Sequence, residues 1–225
     1  MNSFKRIALR ASLVALLAAA MGAWLPMNAL ADVVYSVTPG SNGADSNISL
    51  ENHVIQQIGY GSWAQIGSYT GVTIQAVLAD GSNENATGTA YLSTSIGSGA
   101  TALFTDPFSF PNSGQATLTL FSGLSLGPGT YYLVLAANFD NLDTAWLSST
   151  NAVITMASGV SGNGFGVAGF ANVDSGDPPA STWTALNENL LFSVTGTQSG
   201  ATPEPPALIL LGSGLMSLAF FLRRR

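Results

Sequence analysis

The chain has 225 residues with no cysteine, one histidine, and 6 Lys+Arg against 12 Asp+Glu; only 8% of its residues are charged, where about 25% is usual. All the basic residues lie at the ends, Lys5, Arg6 and Arg10 at the front and Arg223, Arg224 and Arg225 at the back, while every acidic residue falls between Asp32 and Glu204. A central stretch without cations cannot neutralise phosphates, which excludes nucleic acid as a partner, and it offers no Lys nucleophile and no Arg clamp for an anionic substrate.

The chain opens with a cationic segment, "MNSFKRIALR", followed by the apolar run "ASLVALLAAAMGAWL" and the small-x-small triplet Ala29-Leu30-Ala31. That order predicts a helical signal peptide over 1–31, cut after Ala31; Pro26 and the Ala29/Ala31 pair argue against an uncleaved anchor. Export permits disulfides, yet there is no cysteine to form one. The exported domain must therefore hold together by burying a core, which about 170 residues can supply.

Residues 32–197 are rich in Gly, Ser, Thr and Asn and show period-2 apolar alternation without a helical period, which predicts an all-β domain. In "GVTIQAVL", Val72, Ile74, Ala76 and Leu78 share one face; in "TAYLSTSI", Ala90, Leu92 and Ile96 share one with Thr94; in "QATLTLF", Ala116, Leu118 and Leu120 do. "TYYLVLAA", 130–137, is apolar at nearly every position, as expected of a strand covered on both faces. The Gly-rich segment 158–182 reads as a long loop or a hairpin of weak strands, and "NLLFSVTG" as the last strand, with Leu190, Phe192 and Val194 inward. Gly, Asn and Pro clusters at 79–83, 97–99, 110–114 and 127–129 supply the turns. Many short strands so spaced favour a β-sandwich or jelly-roll-like domain over a barrel.

A polar, proline-bearing linker at 198–206 leads to a tail at 207–225. Ala207 to Leu222 is apolar apart from Ser213 and Ser217; as a helix it spans about 24 Å, at about 1.5 Å per residue, against a hydrocarbon core of about 30 Å. Terminal arginines extend such a span by snorkelling, and the positive-inside rule keeps Arg223, Arg224 and Arg225 cytoplasmic. This predicts a transmembrane helix with the β domain on the exported side. A GPI-type anchor would want a longer polar spacer and an uncharged end.

The order Pro203-Glu204-Pro205, apolar helix, basic cluster resembles the PEP-CTERM sorting signal of Gram-negative bacteria. The resemblance covers about residues 201–225. It implies transit through the inner membrane, recognition by an exosortase-type processing enzyme, removal of the tail, and release to the cell surface or an exopolysaccharide matrix. The prolines would hold the scissile region extended and delay the helix. The run 88–137, with "LSLGPGTYYLVL" as its most specific piece, then Trp146 and Trp183, is similar to exported β-sandwich domains of the choice-of-anchor kind, and that likeness supports the fold alone.

His53 is the only histidine, no G-x-S-x-G elbow accompanies the serines, and a zinc site lacks ligands, so no catalysis is expected. Carboxylates such as Glu51, Glu84 and Glu188 could serve glycoside hydrolysis only if folding brought two together. Two binding expectations follow. "NFDNLD" gathers Asn138, Asp140, Asn141 and Asp143, hard oxygen ligands suited to Ca²⁺, although a polar turn uses the same residues and the EF-hand's glycine and glutamate are missing. Trp63, Tyr69, Trp146 and Trp183 offer flat faces for sugar rings if exposed, and packing partners if not. The reading is an exported surface or matrix protein with a structural or interaction role; the alternative is a carbohydrate-binding module.

Overall fold

A computed structural model describes residues 31–52, 57–81, 86–97, 100–110, 114–138, 143–169 and 183–199, all within the compact unit Ala31–Arg225. The expected signal segment through Leu30, Ala29 included, and everything from 200 onward, including the expected transmembrane helix, lie outside the described residues. Among the described residues there is no helix, hence none long and apolar enough to cross a membrane.

The domain is all-β and consists of two antiparallel sheets packed as a sandwich. The first contains β1 (Asp32–Thr38), β2 (Ser46–Asn52), β4 (Tyr69–Asp80), β7 (Gly114–Leu126), β9 (Asp143–Ser149), β10 (Val153–Met156), β13 (Asn189–Leu190) and β14 (Phe192–Gln198). Its order is β10-β1-β14-β4-β9-β13, with β7 also paired to β4 and β2 to β9. The second contains β3 (Gln57–Gln65), β5 (Ala86–Ser93), β6 (Ala102–Phe110), β8 (Gly129–Ala137), β11 (Val160–Gly169) and β12 (Thr184–Ala185), in the order β12-β11-β3-β8-β5-β6.

The alternation in β4 does what its sequence requires: Val72, Ile74, Ala76 and Leu78 are all buried in the main core. Asp80 continues that row at the strand's end. Gly71 and Gly123 carry φ of 60° and 72° where the β4–β7 register shifts, a conformation that suits glycine at a bulge. In β7 the ladder passes from Phe121 opposite Ile74 to Thr119 opposite Gln75, so Leu120 is an extra residue and both Leu120 and Phe121 are buried. Ala116 and Leu118, expected to be inward, are half-buried against the core.

β8 is covered on both faces, as the unbroken apolar run implied. Tyr131, Leu133, Leu135 and Ala137 face the other sheet, and Val134 and Ala136 form a second cluster with Ile58 and Tyr91 on the far side. Ile96 belongs to that second cluster rather than to the Ala90/Leu92 row, because β5 ends at Ser93 and Thr94 is exposed. Of the two readings of the Gly-rich segment, loop or weak strands, its first part takes the second: Val160–Gly169 pairs along β3 and forms a strand inside the sheet. Its glycines make room for rings: a Cβ on Gly162 would lie 2.8 Å from the Tyr35 hydroxyl, and one on Gly166 would strike Tyr60.

Two further glycines decide how closely the sheets approach. Gly59 and Gly61 lie on the same face of β3 as Trp63, and a Cβ on Gly61 would sit 2.6 Å from Cε1 of Phe192. A Cβ on Gly59 would overlap Ile48. Phe192 therefore reaches across the sandwich, with ring centroids 5.3 Å from Tyr35, 6.0 Å from Trp63, 6.2 Å from Trp146 and 6.3 Å from Phe165. Tilted and edge-on pairs at these distances add to the stabilisation that burial alone provides.

Candidate functional site

One end of the first sheet brings β2, β4, β7 and β9 side by side and forms a pocket of about 600 Å³. By alternation, Asn47, Ser49, Ala79, Gln115 and Ala145 lie on the face opposite Ile48, Leu78 and Trp146, so the pocket opens on the outer side of the sheet. Asp143 is exposed at its rim, and its backbone carbonyl accepts the Gly81 N–H at 2.9 Å. Asp80 and Thr144 contribute to the same wall. Both belong to the inward rows, since Asp80 pairs with Thr144 directly after Leu78 pairs with Trp146. Asp80 is 3% exposed and Thr144 1%, and the Thr144 hydroxyl has no hydrogen-bond partner.

Of the four expected Ca²⁺ ligands, Asn138 and Asp143 are among the described residues. Asp140 and Asn141 lie outside them. Asn138 follows β8 in the second sheet, where its Nδ2 donates to Thr87 Oγ1 at 2.9 Å, whereas Asp143 starts β9 in the first sheet. Among the described residues no three His, Cys, Asp or Glu side chains cluster as metal ligands. His53 and Glu84 lie outside the described residues; Glu188 accepts a hydrogen bond from Ser148 Oγ at 2.7 Å.

The aromatic platform is corrected for three of its four residues. Trp63 and Trp146 are fully buried and Tyr69 is 3% exposed, so none of the three has a ring face open to a sugar. Their polar groups are used internally. Trp63 Nε1 donates to Gln65 Oε1 at 3.0 Å, and Trp146 Nε1 to the Leu191 carbonyl at 3.0 Å. Gln65 in turn donates to the Gly127 carbonyl at 2.9 Å, and so does the Tyr131 hydroxyl at 2.8 Å. The "LSLGPGTYYLVL" segment thus owes its pattern to a turn clamped onto the core. Sequence reasoning missed Gln65, although alternation from Trp63 along β3 places it on the inward face. It also missed Asp80, although Asp80 continues the inward row Val72, Ile74, Ala76, Leu78.

Trp183 differs from the other tryptophans. It is half-buried on the outer face of the second sheet, edge-on to Tyr60 at 4.9 Å, and Tyr60 is edge-on to Tyr132 at 5.8 Å. Burial, and then the neighbouring Tyr132, push the Tyr60 phenol above its ordinary range. At the opposite edge of the first sheet, Val153, Ile154 and Met156 of β10 are exposed beside β1.

No protein-family model matches the chain, and no curated protein does. Among solved structures, a chain of the Cowpea mosaic virus top component, its naturally occurring empty particles, matches with a TM-score of 0.26 and 13% identity over 70% of this chain and 100% of that one. A superposition that loose supports no statement about fold or function.

Proposed function

We propose that this is an exported protein delivered by a PEP-CTERM-type tail to the cell surface or exopolysaccharide matrix of a Gram-negative bacterium, with a structural or interaction role and no catalysis. In this reading the described sandwich, jelly-roll-like in connection, is flanked by an N-terminal signal helix removed after Ala31 and by a C-terminal membrane helix. The observation that carries it is the order of Pro203-Glu204-Pro205, the apolar run 207–222 and Arg223, Arg224 and Arg225, in a chain without any other cation beyond Arg10. The partners are an exosortase-type processing enzyme and the inner membrane in transit, with exopolysaccharide at the destination. A sandwich that commits Tyr35, Trp63, Trp146 and Phe192 to a cysteine-free core suits an extracellular matrix, where stability must come from packing.

Intact mass of the protein from surface and membrane fractions, in cells with and without the processing enzyme, tests this. Loss of the tail close to Pro203-Glu204-Pro205, dependent on that enzyme, is the expected result. A tail retained through Arg225 in every fraction would leave a plain membrane anchor.

The carbohydrate-binding reading keeps one observation, the half-buried trio Tyr60, Tyr132 and Trp183 on an outer sheet face. Glycan binding lost in W183A would favour it, and binding unchanged in that variant would remove it.

A further inference from the structure

We infer that the outer edge of β10 pairs two copies of this chain, joining their first sheets into one antiparallel sheet across a two-fold axis at Thr155. The β1–β10 register sets the direction of the free groups. The Ala157 N–H donates to the Val34 carbonyl at 2.9 Å, and further along the same ladder Thr155 stands opposite Ser36 and Val153 opposite Thr38. In an antiparallel ladder the N–H and C=O of one residue point to the same side and successive residues alternate, so Val153, Thr155 and Ala157 direct theirs at β1 while Ile154 and Met156 turn theirs outward. β10 ends the order of its sheet, and among the described residues no strand lies beyond it.

The side chains are open at the same place. Ile154 stands opposite Val37 and Met156 opposite Tyr35, both buried core residues, and paired residues share a face. Yet Ile154 is 41% exposed and Met156 47%, so the inner row that is covered on β1 runs out uncovered on β10. The other edges carry something that blocks a further strand. β6 has Asp106 and Pro107, β2 has Glu51 and a register shift, β12 and β13 have two residues each, and the β4–β7 ladder shifts register three times. Charge, proline, shortness and bulges are the usual devices against edge pairing. Apart from being four residues long β10 has none of them, with no shift in its ladder to β1 and no charged residue between Asp143 and Asp174.

A second copy fits because the edge is its own complement. Turned about Thr155, Ile154 faces the partner's Met156 and Met156 faces the partner's Ile154, each pair exchanging both main-chain bonds, and the apolar inner row continues from one sheet into the next. Thr155 then meets the partner's Thr155, a favourable cross-strand pair. Charge selects the same occupant. Between residues 11 and 222 the chain has carboxylates and no Lys or Arg, so two copies repel wherever acidic residues meet, and β10 carries none; a cationic partner would find no carboxylate there to bind. So short an edge belongs with small, weak interfaces, and the dimer is expected to assemble between micromolar and millimolar concentration. This association does not depend on how the protein is sorted.

The chain has no cysteine, so an introduced one reports the pairing directly. T155C in the full chain is expected to form a disulfide-linked dimer on mild oxidation, because the two Cβ atoms would lie about 4.5–5.5 Å apart. V153C, at a residue 55% exposed, links at least about tenfold less, since the partner's Val153 would lie about 13 Å along the strand. M156P removes an N–H that β1 does not use, so it keeps the fold by circular dichroism yet abolishes both the T155C link and the concentration-dependent dimer that sedimentation shows for the wild type. The contrast between T155C and V153C stands even if M156P fails to fold, and the tail is common to all these chains, so association through it would not follow the substitutions. A wild type that stays monomeric up to millimolar concentration, equal linking by T155C and V153C, a dimer that persists in folded M156P, or T155C linking to a chain of another mass in place of its own copy would each overturn the assignment.

Discussion

The Trp146 indole N–H donates to the Leu191 carbonyl at 3.0 Å, at the residue where the last segment of the chain changes partner. Before Leu191, β13 pairs with β9; after it, β14 pairs with β4. The Leu191 N–H donates to the Leu147 carbonyl at 2.9 Å and its carbonyl also accepts the Val77 N–H at 3.0 Å, so this one peptide position joins three strands. Trp146→Phe keeps an aromatic ring but removes one of two donors, and is expected to cost about 1–2 kcal/mol; Trp146→Ala opens a cavity and costs about 3–5 kcal/mol. Urea midpoints at unchanged slope measure both, and equal losses would show that the hydrogen bond contributes nothing separable.

Gly61 permits the approach of Phe192, and Gly127 serves as its control. Gly61→Ala puts a methyl 2.6 Å from the Phe192 ring and is expected to destabilise by about 1–3 kcal/mol. Gly127 is exposed with open space around its Cβ position, so Gly127→Ala stays within about 0.5 kcal/mol. The contrast is read from thermal or urea unfolding; similar losses would mean that the sheets are not in tight contact at Phe192.

Gln65 is 3% exposed and ties Trp63 to the Gly127 turn. Gln65→Leu fills the volume but leaves the indole N–H without its acceptor, at an expected cost of about 1–3 kcal/mol. Tryptophan emission reports the site directly: loss of the Nε1 hydrogen bond shifts it to the blue, and an unchanged spectrum would contradict the bond.

Tyr35 is buried with a hydroxyl that has no partner, and burial pushes its pKa up to about 12. A raised folded-state value means stability that is fully present below the unfolded pKa, ordinarily 10.0, and is lost as pH rises towards about 12. Tyr35→Phe removes both the stranded hydroxyl and this ionisation. The variant is expected to be at least as stable as the wild type at neutral pH and to lose less stability between about pH 10 and 12.

Asp45 behaves in the opposite sense. The Thr150 hydroxyl and N–H donate to its carboxylate at 2.6 and 2.8 Å and hold its pKa below the ordinary 3.8. A depressed folded-state value gives stability present above the unfolded pKa and lost as pH falls through the lower folded one. Asp45→Asn therefore flattens the acid limb of the stability profile below about pH 4, and an identical limb in the variant would rule the clamp out.

The strands themselves were legible where one face is buried. Val72 to Leu78 and Phe192 to Val194 alternate as their burial does, and "TYYLVLAA" announced a strand covered twice. Glycine-rich 160–169 was legible only as one of two alternatives, loop or weak strand, because its glycines pack against rings of Tyr35 and Tyr60 that lie far away in sequence. Trp63 and Trp146 read equally well as sugar platforms or as core, since a single strand does not reveal whether a second sheet will cover it.

By itself the sequence determined the all-β class, the reliance on core burial without disulfides, and the confinement of cations to the two ends; these follow from composition and from period-2 alternation, which are local properties. Only the tertiary structure decided that Phe192 meets rings from both sheets, that Gln65 is sealed beside a turn, and that Asp80 faces Thr144. Those relationships join positions tens of residues apart, and strand pairing and sheet stacking, not local pattern, bring them into contact.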